Sequence, residues 1–282
     1  MALFPFAVIE PASALAPLVV DSPHSGRIYP VDFNFSCPQY LLRQAEDAFV
    51  DEVIAGAAKA GATVVTAEFP RSMIDVNRAE SDIDPSALDG AWETPLSPDP
   101  MTLAGFGLVR QLCRNGIALY SKPLTVAEVR RRIDTYYRPY HEGLRKLIAA
   151  RIATFGTCIL IDAHSMPDRI EHGVPRSDFI LGDRDGTSCD PVFTRRVQRL
   201  LQDMGYRVTL NEPYRGREIV RRYGEMQGVQ ALQIEINRRL YLDEIAIEKN
   251  SGFDHLRNDM TEFFYTLAAS LRADAGERQV AE

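Results

Sequence analysis

Short apolar runs alternate with longer amphipathic stretches along most of this chain. Runs rich in β-branched residues at 18–20, 62–69, 158–161, 179–182, 206–210 and 229–236 are too short for helices. Polar, glycine or proline residues bound them, so each predicts a strand. Between them the apolar positions return near every third or fourth residue. Leu41, Leu42, Ala45, Phe49 and Val53 mark one helix over about 38–60, ended by Gly61. Thr125, with Glu128 three residues on, opens a long helix to about 154 that bends at Pro139. Further helices are predicted over 191–204, 216–223 and 253–271. Strands alternating with helices predict an α/β fold whose mixed or mainly parallel sheet is covered on both faces. Residues 79–105, dense in Asp, Pro, Ser and Gly, read as a long surface excursion of the kind that serves function. The charged segment after about 273 reads as a disordered tail.

Composition narrows the field. The chain has 282 residues, 45% apolar and 25% charged, which is ordinary globular usage and favours one large domain, 1–282. A net charge of -7 argues against nucleic acid or an anionic membrane as partner, since both require a basic surface. The run Arg130-Arg131-Arg132 reads as a solvated helix face. Cysteines 37, 113, 158 and 189 form no Cys-x-x-Cys and read as thiols of a reducing compartment, without disulfides. The opening residues carry no basic leader, and no apolar run approaches a membrane span, so the expected location is cytoplasmic.

Chemistry gathers at two strand ends. Asp21-Ser22-Pro23-His24-Ser25-Gly26 follows the first run, and Asp162-Ala163-His164-Ser165 follows the third, 158–161. In open α/β sheets, ligands collect outside the carboxyl ends of strands, so His24 and His164 would share one metal ion. Either Glu46 or Asp47 would supply a third ligand, leaving a position open for water. A lone histidine at a strand end is more often structural, and the pairing is what changes the reading. Glu235 interrupts an apolar strand and would act as general base beside a metal-bound water, or else pair with a buried cation. Arg78, with Asn77 and Arg71 nearby, offers a fork for a substrate carboxylate, or an ion pair with Asp75 or Asp82. The turn 211–217 would hold Tyr214 or an arginine over a cleft. His141 and His255 read as structural or solvent-facing, and His172 lies near enough in sequence to approach the site. No serine sits in a nucleophile elbow and no glycine-rich nucleotide loop opens a helix.

The ordered set Ser22-Pro23-His24-Ser25-Gly26, Asp75-Val76-Asn77-Arg78, Asp162-Ala163-His164-Ser165, Ser177 to Gly182, Pro213-Tyr214-Arg215-Gly216 and Glu235-Ile236-Asn237-Arg238 resembles the N-formylglutamate amidohydrolase family. The resemblance implies a phosphorylase/hydrolase-like three-layer α/β/α sandwich, akin to the zinc exopeptidases. It implies zinc, or another divalent metal, on His24, Asp47 and His164, with Asp47 fitting the family pattern better than Glu46. Glu235 matches the catalytic glutamate, and Asn77-Arg78 is similar to the pair with which zinc carboxypeptidases grip a substrate carboxylate. Arg71 or Arg217 would meet a second carboxylate, although Arg217 stands where the family pattern has a second glycine. The implied substrate is N-formyl-L-glutamate or a related small N-acyl amino acid. Rival readings are a cell-wall peptide amide as substrate, or a non-catalytic binder of acidic amino acid derivatives.

Overall fold

The computed structural model describes residues 5–113, 116–171 and 174–281. Seven strands make its central sheet: β1 (Phe6–Ile9), β2 (Leu18–Ser22), β3 (Thr63–Ala67), β4 (Cys158–Met166), β5 (Phe179–Gly182), β6 (Val208–Leu210) and β7 (Val229–Asn237). Their order across the sheet is β1-β3-β2-β4-β7-β5-β6. The pairs β1–β3 and β7–β5 are antiparallel and the others parallel. Central strands buried on both faces explain the near-continuous apolar runs that mark them in sequence. Edge strand β1 was not expected. Its four residues sit between Pro5 and Pro11, and Val8 and Ile9 are exposed, so neither length nor alternation marks it.

Helices cover both faces, giving the α/β/α sandwich. On one face Leu18, Val20, Ile159, Ile161, Leu232 and Ile234 meet α2 (Val50–Ile54), α5 (Pro191–Asp203) and α7 (Phe253–Ala281). On the other, Val19, Leu160, Cys158 and Ala231 meet α4 (Arg138–Phe155) and α6 (Glu218–Gly224) through Tyr140, Leu144, Ile148, Ile219 and Tyr223. Each such buried aliphatic or aromatic side chain contributes about 1.5–3 kcal/mol of transfer free energy. No helix among the described residues is long and apolar enough to cross a membrane.

Several elements differ from expectation. The helix expected over 38–60 is broken into α1 (Gln39–Arg43), α2 and a 3-10 turn, Ala55–Ala58. Residues 44–49 leave the helix because the Asp47 amide donates to the His24 carbonyl at 2.9 Å and Phe49 takes a left-handed conformation. The long helix starts where expected, with Thr125 accepting from the Glu128 amide, but α3 (Val126–Arg132) passes through a π turn, Ile133–Tyr137, into α4. The discontinuity precedes Pro139, which cannot donate to the ladder. The solvated reading of the arginine run fails at Arg132, which is 0% exposed. Its guanidinium donates to Glu128 at 2.7 Å, the Met73 carbonyl at 2.9 Å and the Tyr120 hydroxyl at 2.6 Å, and covers the Phe33 ring. Helix α7 continues past the expected end at 271 into the segment read as a tail, whose Ala, Glu, Arg and Gln residues favour helix.

Candidate active site

One face of the sheet changes character along its length. On β4, Cys158 and Leu160 give way to Asp162 and His164; on β7, Val229 and Ala231 give way to Gln233 and Glu235; on β2, Val19 gives way to Asp21. Side chains two apart share a face, so the carboxyl-terminal half of this face is a polar floor. Register aligns it: Asp162 lies opposite Asp21 and Gln233, and His164 opposite Glu235. His164 stands inside β4, which is longer than the expected 158–161, whereas His24 follows the end of β2. Beyond it the chain passes so close to β3's exit that a Cβ on Gly26 would lie 2.0 Å from the Phe69 carbonyl oxygen.

His24, Asp47 and His164 bring candidate metal-ligand atoms within 4.8 Å of one another, all buried. Asp47 Oδ2 lies 3.0 Å from His164 Nδ1 and 3.4 Å from His24 Nδ1. The other Asp47 oxygen accepts from Ser165 Oγ at 3.1 Å and Arg238 Nη2 at 3.2 Å. Ser25 fixes the same segment, donating to the Asp47 carbonyl and accepting from the Asp51 amide at the start of α2. Glu46, the other candidate, turns away and accepts from the Tyr29 hydroxyl at 2.6 Å. Behind each imidazole stands a carboxylate: His24 Nε2 is 2.7 Å from Asp75 Oδ1, and His164 Nε2 is 2.8 Å from Asp162 Oδ1. A carboxylate behind a histidine fixes its tautomer and strengthens it as a metal ligand.

The cluster fits a divalent cation. His24 Nδ1 is buried without a hydrogen-bond partner, facing the same oxygen as His164 Nδ1. Two imidazoles and a carboxylate are the donor set of a catalytic zinc site with one position open. Electrostatics point the same way. Burial opposes charge on Asp47, yet the two histidines hold it well below the usual carboxylate range. Burial also opposes charge on His164, but Asp162 and Asp47 push it well above the usual imidazole value. The acidic surroundings therefore call for positive charge. Burial and the neighbouring Asp162 push the Asp21 carboxyl well above the usual carboxylate range, and it accepts from the Tyr140 hydroxyl at 2.9 Å.

Glu235 is buried beside this cluster. Burial pushes its carboxyl up to about 7, with Asp47 adding to the shift and His164 opposing it. Gln233 Nε2 donates to its Oε1 at 2.9 Å. A carboxyl balanced near neutrality can take a proton and give it back.

These groups share a cleft of about 860 Å³ with Arg71, Asn77, Arg78, Tyr214 and Arg217. The structure thus brings His24, Asp47, His164, Glu235, Arg71, Asn77, Arg78, Tyr214 and Arg217 to one cavity, whereas Glu46 lies outside it. Asn77 Oδ1 accepts from the Ile219 amide at 2.8 Å, and its Nδ2 donates to Asp162 Oδ2 at 3.5 Å while lying 2.9 Å from His164 Nε2. These contacts tie β4's histidine end to α6 from within the cleft wall. Arg71 bridges to Asp75 at 2.8 Å, Arg78 reaches Asp99 at 3.1 Å and Asp82 at 3.4 Å, and Arg217 reaches Asp99 at 2.8 Å. The Tyr214 hydroxyl accepts from Arg176 at 3.2 Å. His141 is structural, held between the Val76 carbonyl and Tyr223, and burial pushes it down to about 3; His255 is exposed. His172 lies outside the described residues.

Sequence reasoning gave no role to Asp162, Arg238 or Arg110. Asp162 was findable, since it lies two residues before His164 and so shares its face. Arg238 and Arg110 carried no signal of their own, being placed by tertiary contacts.

Residues 16–242 match the sequence model of the family described as N-formylglutamate amidohydrolase. The chain is 30% identical over 239 residues to an N-formylglutamate deformylase of Pseudomonas putida, covering 81% of this chain and 82% of that protein. It is 31% identical over 238 residues to its counterpart in Pseudomonas aeruginosa, covering 82% and 84%. Among solved structures, an N-formylglutamate amidohydrolase from Ralstonia eutropha JMP134 superposes with a TM-score of 0.93 at 40% identity, covering 96% of this chain and 100% of that one. A gene product of Agrobacterium tumefaciens, 19% identical with a TM-score of 0.67, covers 95% of this chain and 96% of its own, and shares the fold. With the match running through both histidine strands and Glu235, the chain belongs to the N-formylglutamate amidohydrolase family.

Proposed function

We propose that this protein is a zinc-dependent amidohydrolase that cleaves N-formyl-L-glutamate to formate and L-glutamate. The observation that carries the reading is the composition of the cleft. Its wall holds eight arginines, at positions 71, 78, 110, 169, 184, 215, 217 and 238, against two carboxylates, Asp47 and Glu235, and both of these belong to the chemical end. Five of these arginines pair with Asp75, Asp82, Asp99, Asp185 or Asp47, so what the wall offers a small dianion is a set of guanidinium donors held in place by those carboxylates. The names of the relatives support the same substrate.

His24, Asp47 and His164 would hold the metal. Bound there, zinc supplies a Lewis acid and a water of lowered pKa. Glu235 accepts the proton of the attacking water as its oxygen adds to the formyl carbon, and delivers that proton to the amide nitrogen as the carbon–nitrogen bond breaks. Asp75 and Asp162 hold the two imidazoles in the orientation this requires. Arg71 and Arg78 face the α-carboxylate, while Tyr214 and Arg217 bound the rim.

The test is a substrate panel on the zinc-loaded protein: N-formyl-L-glutamate, N-acetyl-L-glutamate and an amidated dipeptide, with product amine quantified. The reading expects kcat/KM to be highest for the formyl compound. A higher value for the dipeptide would reassign the protein to peptide amides.

A further inference from the structure

Arg110 stands apart from the other buried or half-buried arginines of the cleft, Arg169, Arg215 and Arg217 being exposed. Arg71, Arg78, Arg217 and Arg238 each meet a carboxylate of the protein, and Arg184 donates to the Gly216 carbonyl at 3.4 Å. Arg110 has no ion-pair partner among the described residues; its guanidinium lies over the Phe106 ring, 5.0 Å from the centroid. Burial, with Arg71 and Arg78 adding to it, pushes its pKa down to about 9, so it stays charged at neutral pH. A partly desolvated cation beside two others costs stability. Such a cost is expected where an incoming anion offsets it.

Position suggests which anion. Arg71 stands among Asp75, Asp47 and Glu235, whereas the charged neighbours of Arg110 are Arg71, Asp75 and Arg78. Arg110 is therefore one step farther from the reacting end. It is carried by a short hairpin in which Phe106 pairs with Arg110, tied to the Arg71–Arg78 loop by the Asp75 amide on the Leu108 carbonyl at 2.8 Å. Met101 and Phe106 line the cleft beside it. An apolar wall ending in an unpaired guanidinium matches a short methylene chain ending in a carboxylate.

We propose that Arg110 holds the side-chain carboxylate of the N-acyl amino acid and, with Phe106 beneath it, sets the preference for glutamate over neutral amino acids. This rests on the hydrolase reading above and deepens it.

The test compares the zinc-loaded wild type with Arg110→Met and Arg110→Lys on N-formyl-L-glutamate and N-formyl-L-glutamine, following formate and thermal unfolding. Loss of a charge-assisted contact lowers kcat/KM of Arg110→Met for the glutamate substrate about 10- to 100-fold. The loss falls mainly in KM, is far smaller for the glutamine substrate, and is partly recovered in Arg110→Lys. The Tm of Arg110→Met stays level or rises, because an uncompensated cation has gone. Equal loss on both substrates, no loss on either, or a lowered Tm would overturn the assignment. A wild type that hydrolyses neither compound would refute the hydrolase reading and this inference with it, whereas an active wild type matched by Arg110→Met refutes only the latter.

Discussion

Replacing Asp75 by asparagine removes one charge and almost no volume, so its effect isolates what the carboxylate does for His24. Asp75 Oδ1 accepts from His24 Nε2 at 2.7 Å and from the Asn77 amide at 2.9 Å, and Oδ2 accepts from Arg71 Nη2 at 2.8 Å. The two oxygens thus face only donors. An asparagine that keeps its oxygen toward His24 points its NH2 at the Arg71 guanidinium. One that turns around points NH2 at the Asn77 amide and at His24 Nε2, which drives the ring proton to Nδ1, the atom facing Asp47. Either arrangement leaves opposed donors, at about 1–3 kcal/mol for an unsatisfied buried group. Losing the carboxylate behind a ligating histidine weakens metal binding about 10- to 100-fold. That is about 1.4–2.7 kcal/mol. The assay is competition for zinc between folded protein and a chromophoric chelator, with Asp75→Asn beside the wild type. Equal zinc affinity in a variant of unchanged fold would refute the claim that Asp75 orients a metal ligand.

Other substitutions separate chemistry from scaffolding. Glu235→Gln should bind zinc as the wild type does while kcat falls by about 100-fold or more, the scale of a lost general base; near-normal turnover removes Glu235 from the mechanism. Arg132→Met should destabilise the fold by about 1–3 kcal/mol in urea titrations, since the buried Met73 carbonyl and Tyr120 hydroxyl lose their partner while Glu128 keeps Arg131, yet leave zinc affinity unchanged; a silent substitution would mean the Arg132 network contributes nothing. His141 has its folded pKa depressed from 6.5 to about 3. Because the unfolded chain then binds the extra proton, its contribution is present above about pH 6.5 and is lost as pH falls toward 3. The stability of His141→Asn should therefore fall less steeply than that of the wild type between pH 6 and 4, by up to about 1.4 kcal/mol per pH unit, and parallel slopes would show that His141 titrates as in the unfolded chain.

Much of this architecture was legible because central strands advertise themselves. Their burial on both faces makes 158–161 continuously apolar and 229–236 largely so, and the histidine, aspartate or glutamate at the end of each run marks where the sheet meets the cleft. His24, His164 and Glu235 were visible for that reason. What escaped was set by contacts between distant segments. Asp47 could not be told from Glu46 by local pattern, since the choice depends on the backbone bond from the Asp47 amide to His24 that breaks the helix. Nothing local reveals that Asn77 also lies against His164 and accepts from the Ile219 amide. Arg132 read as solvated because a triple arginine run on a helix usually is; its burial depends on Tyr120, Phe33 and Met73 arriving from other parts of the chain.

The central claim is that His24, Asp47 and His164 hold one catalytic metal serving N-formyl-L-glutamate. It is tested most directly by stripping the protein with a chelator, restoring zinc stepwise, and measuring bound metal and formate release in the same samples. The account predicts formate release that rises linearly with zinc, saturates at one ion per chain, and is absent when both histidines are replaced by alanine. Full release from the metal-free protein, or undiminished release from the double alanine variant, would contradict it.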